Sequence, residues 1–225
     1  MKPNGGKSVG WHETFTVFFI TLLLSLGYAF VRYNVIRDVP YDNLPLYISN
    51  KAIAMAATIL IGISFVMGPL ARFSQGIVRH LYLRKHIGLV GFALAAMHTL
   101  MSMILLGPAY YNRLYTSAGK LTLVGESAML FGVLAIVIFS IVSITSMPPI
   151  FKHMDPRQWQ FVQRLGYLAY ICVMLHVYVM AYKGWSNPDA YSYGFVPVSL
   201  LSVLVIVFVL LMRVLVALFP QKIRK

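Results

Sequence analysis

Acidic residues are scarce in this chain. Six Asp and Glu stand against 19 Lys and Arg over 225 residues, and charged residues of all kinds make up only 11%. Surface-to-volume geometry pushes polar residues outward in a soluble fold, so so little charge excludes a soluble α-domain as the working description. Cysteine is nearly absent too. The one cysteine, Cys172, lies inside an apolar segment and excludes an internal disulfide or a Cys-x-x-Cys metal or redox centre. No Gly-x-Gly-x-x-Gly precedes a helix and no P-loop occurs, so no recognisable phosphate cradle is encoded. The first apolar segment follows "MKPNGGKSVG" and lacks a small-residue cleavage site after it. It reads as a retained helix, not a signal peptide.

What the chain has in quantity is apolar sequence, 59% of all residues. Six apolar segments stand near 12–32, 50–70, 86–106, 121–146, 161–183 and 195–219. Each approaches the roughly 20 residues that cross about 30 Å of hydrocarbon. The expected fold is an all-α membrane protein, one domain over 1–225, with six transmembrane helices in contact with membrane lipid. The segments leave no length for a soluble domain. A net charge of +13 would suggest nucleic acid in a soluble protein. Here the excess of basic residues in some loops explains it, and no nucleic-acid partner is expected. Arg72, Arg79, Arg84 and Lys85 fall in the loop 71–86, Lys152, Arg157 and Arg164 in 151–164, and "QKIRK" ends the chain. These loops and both termini are expected in the cytoplasm of a multi-pass protein of the cell (inner) membrane. The loops 33–51, 107–120 and 183–195 fall on the other side and hold three of the six acids.

The chain has six histidines. His80, His86 and His153 lie at basic loop ends, where a solvated imidazole costs little, and His12 beside Trp11 reads as interfacial. His98 and His176 differ. His98 lies 13 residues after Lys85 and His176 lies 12 after Arg164, which is about 20 Å and about 18 Å at a helical rise of 1.5 Å. Both segments run outward, so the two imidazoles sit nearly level in the outer half of the bilayer. Such a pair is a candidate for axial ligation of a heme, and equally for a packed or proton-relaying pair, since intramembrane ionisable groups carry function without being confined to redox. Gly91, Ala95, Ala169 and Cys172 share faces with the two histidines. Small residues there leave room for a porphyrin or allow close helix packing.

"RKHIGLVGFALAAMH" and "SITSMPPIFKHMDPRQWQFVQRLGYLAYICVMLHVYVMAYKGW" together resemble the ferric-reductase-like transmembrane domain, and most of all the membrane domain of the STEAP metalloreductases. The shared features are Arg84-Lys85 entering the third helix and ten residues from Gly88 to His98. Thr145-Ser146-Met147-Pro148 follows at the end of the fourth helix. A tryptophan-containing loop with Trp159, then Phe161-Val162-Gln163, Leu165-Gly166-Tyr167 and His176, completes the order. The likeness spans about residues 50–185. "GPLARF" (68–73) is also similar to MsrQ, the membrane subunit that feeds a periplasmic methionine sulfoxide reductase.

The resemblance implies that His98 and His176 ligate the iron of one heme b. Two-heme relatives place a second histidine earlier in each helix. Here Gln163 stands thirteen residues before His176 and Arg84 fourteen before His98, so one heme is expected. It further implies an inner flavin, FAD or FMN, held by Arg84, Lys85, Trp159, Gln163 and Arg164. Those residues also read as ordinary basic-side positions. STEAP proteins carry an N-terminal nicotinamide-dependent domain that the roughly ten residues ahead of the first helix do not supply. The expected donor is therefore a cytoplasmic flavin reductase, a reduced flavin or a quinol. The expected acceptor is a ferric or cupric chelate drawn to Arg113, Lys120 and Lys183 on the outer side, or a partner reductase as for MsrQ. A trimer is implied by the family alone. A non-redox scaffold or transporter is the reading from another class.

Overall fold

A chain in hydrocarbon has no water to satisfy its amides, so each apolar segment must close its hydrogen bonds within itself as a helix. A computed structural model, which describes residues 10–187, 191 and 193–219, shows this outcome. Its six long helices are α1 (Trp11–Phe30), α2 (Ser49–Leu70), α3 (Leu83–Leu105), α4 (Leu123–Ile144), α5 (Pro156–Trp185) and α6 (Val198–Leu218). All six spans are long and apolar enough to cross a membrane, and no strand occurs among the described residues. The protein is a multi-pass, all-helical membrane protein. The basic tail 221–225, residues 1–9 and Asp189 lie outside the described residues.

Two boundaries differ from expectation for local reasons. α5 begins at Pro156, not near 161. Asp155 caps it, its carboxylate accepting the backbone N–H of Arg157 at 2.8 Å and of Gln158 at 3.3 Å, and proline at the first helical position needs no donor. Trp159, Gln163 and Arg164 therefore stand on a helix and not in a loop. At 30 residues α5 is about 45 Å long, so its first turns rise clear of the hydrocarbon on the basic side. α2 is lengthened at its start by the turns Tyr41–Asn43 and Leu44–Ile48, which makes its span Tyr41–Leu70.

α2 is the axis of the bundle. Of its most apolar stretch 72% is buried in the protein, against 17–28% for the other five spans. It packs closely on α3, α6 and α1, while α4 pairs with α5 and α5 with α6. α3 touches α4 lightly, and α3 and α5 are not among the closely packed pairs. Lipid offers helices no hydrophobic reason to associate, so close fit carries the assembly. A Cβ on Gly91 would stand 2.9 Å from Ile61 Cγ1 and 3.0 Å from the Ile61 backbone nitrogen. Gly91 thus draws α3 onto α2 and does not open space beside His98. Ala169 is likewise fully buried, packed in a cluster with Phe65, Tyr170 and Ile206. For these two residues the packing alternative holds and the porphyrin-room alternative does not.

A device recurs at the joints. In a helix the Cβ of residue i+4 leans back over the carbonyl of residue i. A glycine at i+4 uncovers that carbonyl for a second donor. Ser64 Oγ donates to Arg84 O at 2.8 Å over Gly88, and Tyr170 Oη donates to Thr58 O at 2.7 Å over Gly62. A Cβ would come within 2.9 Å of Ser64 Oγ at Gly88 and 2.8 Å of Tyr170 Oη at Gly62. The first bond joins α2 to α3 and the second joins α5 to α2.

Candidate functional site

His98 stands on α3 and His176 on α5, both well inside their spans. Each residue is half-buried. The two lie within electrostatic range of one another. They stand on two helices, α3 and α5, that are not among the closely packed pairs.

Both rings are hydrogen-bonded through Nδ1, and for His176 the bond fixes the tautomer. His176 Nδ1 is 2.8 Å from the carbonyl oxygen of Ala128 on α4. A carbonyl only accepts, so Nδ1 carries the proton and Nε2 keeps its lone pair. Here the glycine device appears a third time. Gly132 is four residues on from Ala128, and a Cβ there would stand 3.0 Å from His176 Nδ1. His98 Nδ1 is 2.8 Å from Asn50 Oδ1 at the head of α2, and Asn50 Nδ2 donates to Ser102 Oγ at 2.9 Å. The amide directs its nitrogen to Ser102 and its oxygen to His98, the arrangement in which His98 too donates from Nδ1. Both imidazoles thus present Nε2 as a ligand, each braced from behind, which is how metal-binding histidines are usually oriented. No group of three or more metal-ligating side chains occurs among the described residues. Two neutral imidazoles alone suit a metal that brings its own equatorial ligands, as a heme does.

The five inner residues do not form one cluster in contact. Arg84 and Lys85 occupy the first turn of α3, and the Arg84 guanidinium lies over Gly68 of α2. Trp159, Gln163 and Arg164 follow on the first turns of α5. Gln163 Nε2 donates to Val142 O at 3.2 Å and to Ser146 Oγ at 3.0 Å, clasping the end of α4 where the Thr-Ser-Met-Pro stretch begins. Trp159 packs edge-on against Phe151 at 5.3 Å, and its indole Nε1 is buried with no hydrogen-bond partner among the described residues. Lys85 and Arg164 are exposed. Trp11 meets His86 edge-on at 4.6 Å, which sets the starts of α1 and α3 side by side on the basic face.

At the opposite face, the Lys51 ammonium rests 4.0 Å over the Tyr47 ring and 4.7 Å over the Tyr33 ring. It borders a polar cavity of about 570 Å³ that Arg37 and Asp38 also line. Arg113 lies within electrostatic range. Tyr47 stacks on Tyr110 at 5.7 Å and meets Tyr111 at 6.0 Å. Burial, with Tyr47 adding to it, pushes the Tyr111 phenol up to about 12, and the nearby Asn50 side chain partly offsets this. Tyr111 therefore stays neutral at any physiological pH. Asn50, Lys51, Ala128 and Gly132 escaped the sequence reading. Ala128 and Gly132 left only a faint trace, two of several small residues in that helix, four apart. Asn50 left only its polarity at the edge of an apolar run.

Fold and site together define a multi-pass membrane protein built around a braced pair of intramembrane histidines. The chain belongs to the family described as ferric reductase like transmembrane component, which matches residues 52–174. That match includes His98 and ends just short of His176. Among curated proteins, the chain is 28% identical to rat Metalloreductase STEAP3 over 81% of its own length and 45% of the relative's. It is 23% identical to mouse Metalloreductase STEAP2 over 92% of this chain and 50% of the relative. For human Metalloreductase STEAP2 the identity is 24%, over 92% and 49% respectively. The chain spans about half the length of these relatives.

Proposed function

We propose that this protein carries electrons across the membrane, from a flavin-type donor at the basic face to an acceptor at the opposite face, in metalloreductase-like chemistry. The observation that carries the reading is the histidine pair: two intramembrane imidazoles within electrostatic range of one another, each with Nδ1 hydrogen-bonded and so with Nε2 left for ligation. His98 and His176 would hold one heme b, whose iron supplies a one-electron ferric–ferrous couple. With two imidazole ligands the iron has no open position, which suits electron transfer over oxygen binding.

The basic face is the cytoplasmic one by the positive-inside rule, and the membrane is the cell (inner) membrane. The inner half of the bilayer then needs its own carrier. Trp159, with a buried N–H in need of an acceptor, and the Gln163 amide suit the ring of FAD or FMN. Arg84, Lys85 and Arg164 suit its phosphates. A cytoplasmic flavin reductase, a reduced flavin or a quinol supplies the electrons. At the outer face Lys51 and Arg37, with Arg113, Lys120 and Lys183, form a cationic approach for an anionic ferric or cupric chelate. The relatives' designation as metalloreductases favours that acceptor over a partner reductase.

The test is the absorbance spectrum of the purified protein. Dithionite should produce a sharp α-band, and ferric citrate added afterwards should discharge it. No α-band overturns the reading. An α-band that resists ferric citrate but is discharged by a periplasmic methionine sulfoxide reductase reassigns the protein as that enzyme's membrane subunit. Sizing in detergent decides whether the trimer implied by the family is formed.

A further inference from the structure

A carboxamide buried at membrane depth must find partners for both its ends. Asn50 is 1% exposed and finds them on another helix: Oδ1 accepts from His98 Nδ1 at 2.8 Å, and Nδ2 donates to Ser102 Oγ at 2.9 Å. His98 and Ser102 are four residues apart on α3, so one amide grips two successive turns of the same face. The Tyr111 side chain, from the short turn Pro108–Tyr111 that follows α3, also interacts with it. No such side chain serves His176, whose acceptor is a main-chain carbonyl.

We propose that Asn50 is a positioning residue that acts through His98: its amide oxygen holds the ring as the Nδ1–H tautomer with Nε2 toward the iron, and tunes the donor strength of that one ligand. This rests on the heme reading above. A hydrogen bond from Nδ1–H to an acceptor shifts electron density toward Nε2, strengthens the ligand and favours the ferric state. Taking the acceptor away weakens the ligand and favours the ferrous state. Because the His176 acceptor is backbone, side-chain control of the iron's ligand field falls on Asn50 alone of the two braces.

The full-length, heme-loaded protein provides the test, read by equilibrium redox titration and by the low-spin ferric electron paramagnetic resonance spectrum. Asn50→Leu keeps the bulk and removes the acceptor. It should shift the ferric–ferrous equilibrium about tenfold toward ferrous, or about 59 mV for one electron, and move the g-values. Asn50→Ala should act in the same direction and serves if the leucine variant does not fold. Asn50→Asp keeps an acceptor oxygen in place and should return the equilibrium to the parent's or further toward ferric. Ser102→Ala removes only the other grip and should change the equilibrium by less than a third of the Asn50→Leu effect. Parental potential and g-values in both Asn50→Leu and Asn50→Ala overturn the proposal. So does an Asn50→Asp variant that behaves like leucine, or a Ser102→Ala variant that shifts as far, since Asn50 would then be an interhelical clamp only. A parent protein with no bis-imidazole spectrum overturns the heme reading first and this inference with it; an intact parent spectrum with unresponsive Asn50 variants overturns this inference alone.

Discussion

The two histidine arms are held by different means. His98 is braced by a side chain on the central helix α2, His176 by a main-chain carbonyl on α4. Each brace lies 48 residues from its histidine in sequence. The side-chain brace can be tuned by one substitution, but it needs Ser102 and Tyr111 to hold the amide in place. The backbone brace cannot be tuned, and it needs only that residue 132 lack a Cβ. One arm is therefore adjustable and the other fixed, and the sequence of α4 can vary widely so long as the glycine stays.

The test that breaks the comparison outright removes the rings. His98→Ala or His176→Ala, each alone, should abolish the α-band of the reduced protein if, as proposed, each arm supplies one of two axial ligands. Normal heme retained in both variants would end the pairing. The next test strikes only the fixed arm. A Cβ at residue 132 would stand 3.0 Å from His176 Nδ1 and 3.3 Å from Cε1, so Gly132→Ala obliges the ring to move by a few tenths of an ångström. Heme should still bind, about tenfold more weakly, with altered g-values, in line with the usual cost of disturbing a ligand's outer support. Binding and spectrum unchanged from the parent would show that the ring does not depend on the uncovered carbonyl.

How far the sequence disclosed this arrangement follows from where the information resides. Six spans were legible because hydropathy is a local quantity, countable along the chain, and His98 and His176 stood out because each is an ionisable residue deep in an apolar segment. The start of α5 was misplaced because Asp155-Pro156 is a helix start that the apolar count does not register. Gly91 was read beside His98, which it does neighbour in register, yet its missing side chain serves Ile61 on another helix. Asn50, Ala128 and Gly132 were not found because their meaning lies in contacts with residues 48 and 44 positions away. A glycine in a transmembrane helix signals a close approach without naming what approaches: isoleucine backbone at Gly91, a hydroxyl at Gly62 and Gly88, an imidazole at Gly132.

The remaining predictions sharpen the contrast by using the same glycine device away from the histidines. At Gly62 a Cβ would meet Tyr170 Oη at 2.8 Å, with Val205 and Val209 close behind. Tyr170 is fully buried and has nowhere to retreat. Gly62→Ala should therefore cost about 1–3 kcal/mol of overpacking, set against at most about 1 kcal/mol gained from alanine's better helix propensity. The measurement is the thermal midpoint in detergent, expected to fall. A rise would mean that the tyrosine is not held at Thr58.

Tyr170→Phe should have the smallest effect. It deletes one hydroxyl that donates to Thr58 O at 2.7 Å, and that carbonyl keeps its own helical partner, so about 1 kcal/mol is lost and no acceptor is stranded. The ring still fills its place among Phe65, Ala169 and Ile206. Tyr170 lies six residues before His176 on α5, but that histidine takes its position from Ala128, so the reduced α-band and the midpoint potential should match the parent's. Combining it with Gly62→Ala provides the finer reading. The phenylalanine has no oxygen for the new methyl to strike, so the double variant should be destabilised by less than the sum of the two single changes, the sign of coupling that residues in direct contact show. Strict additivity would mean that Gly62 is small for the sake of Val205 and Val209 and not for the tyrosine, and would confine the uncovered-carbonyl device to Gly88 and Gly132.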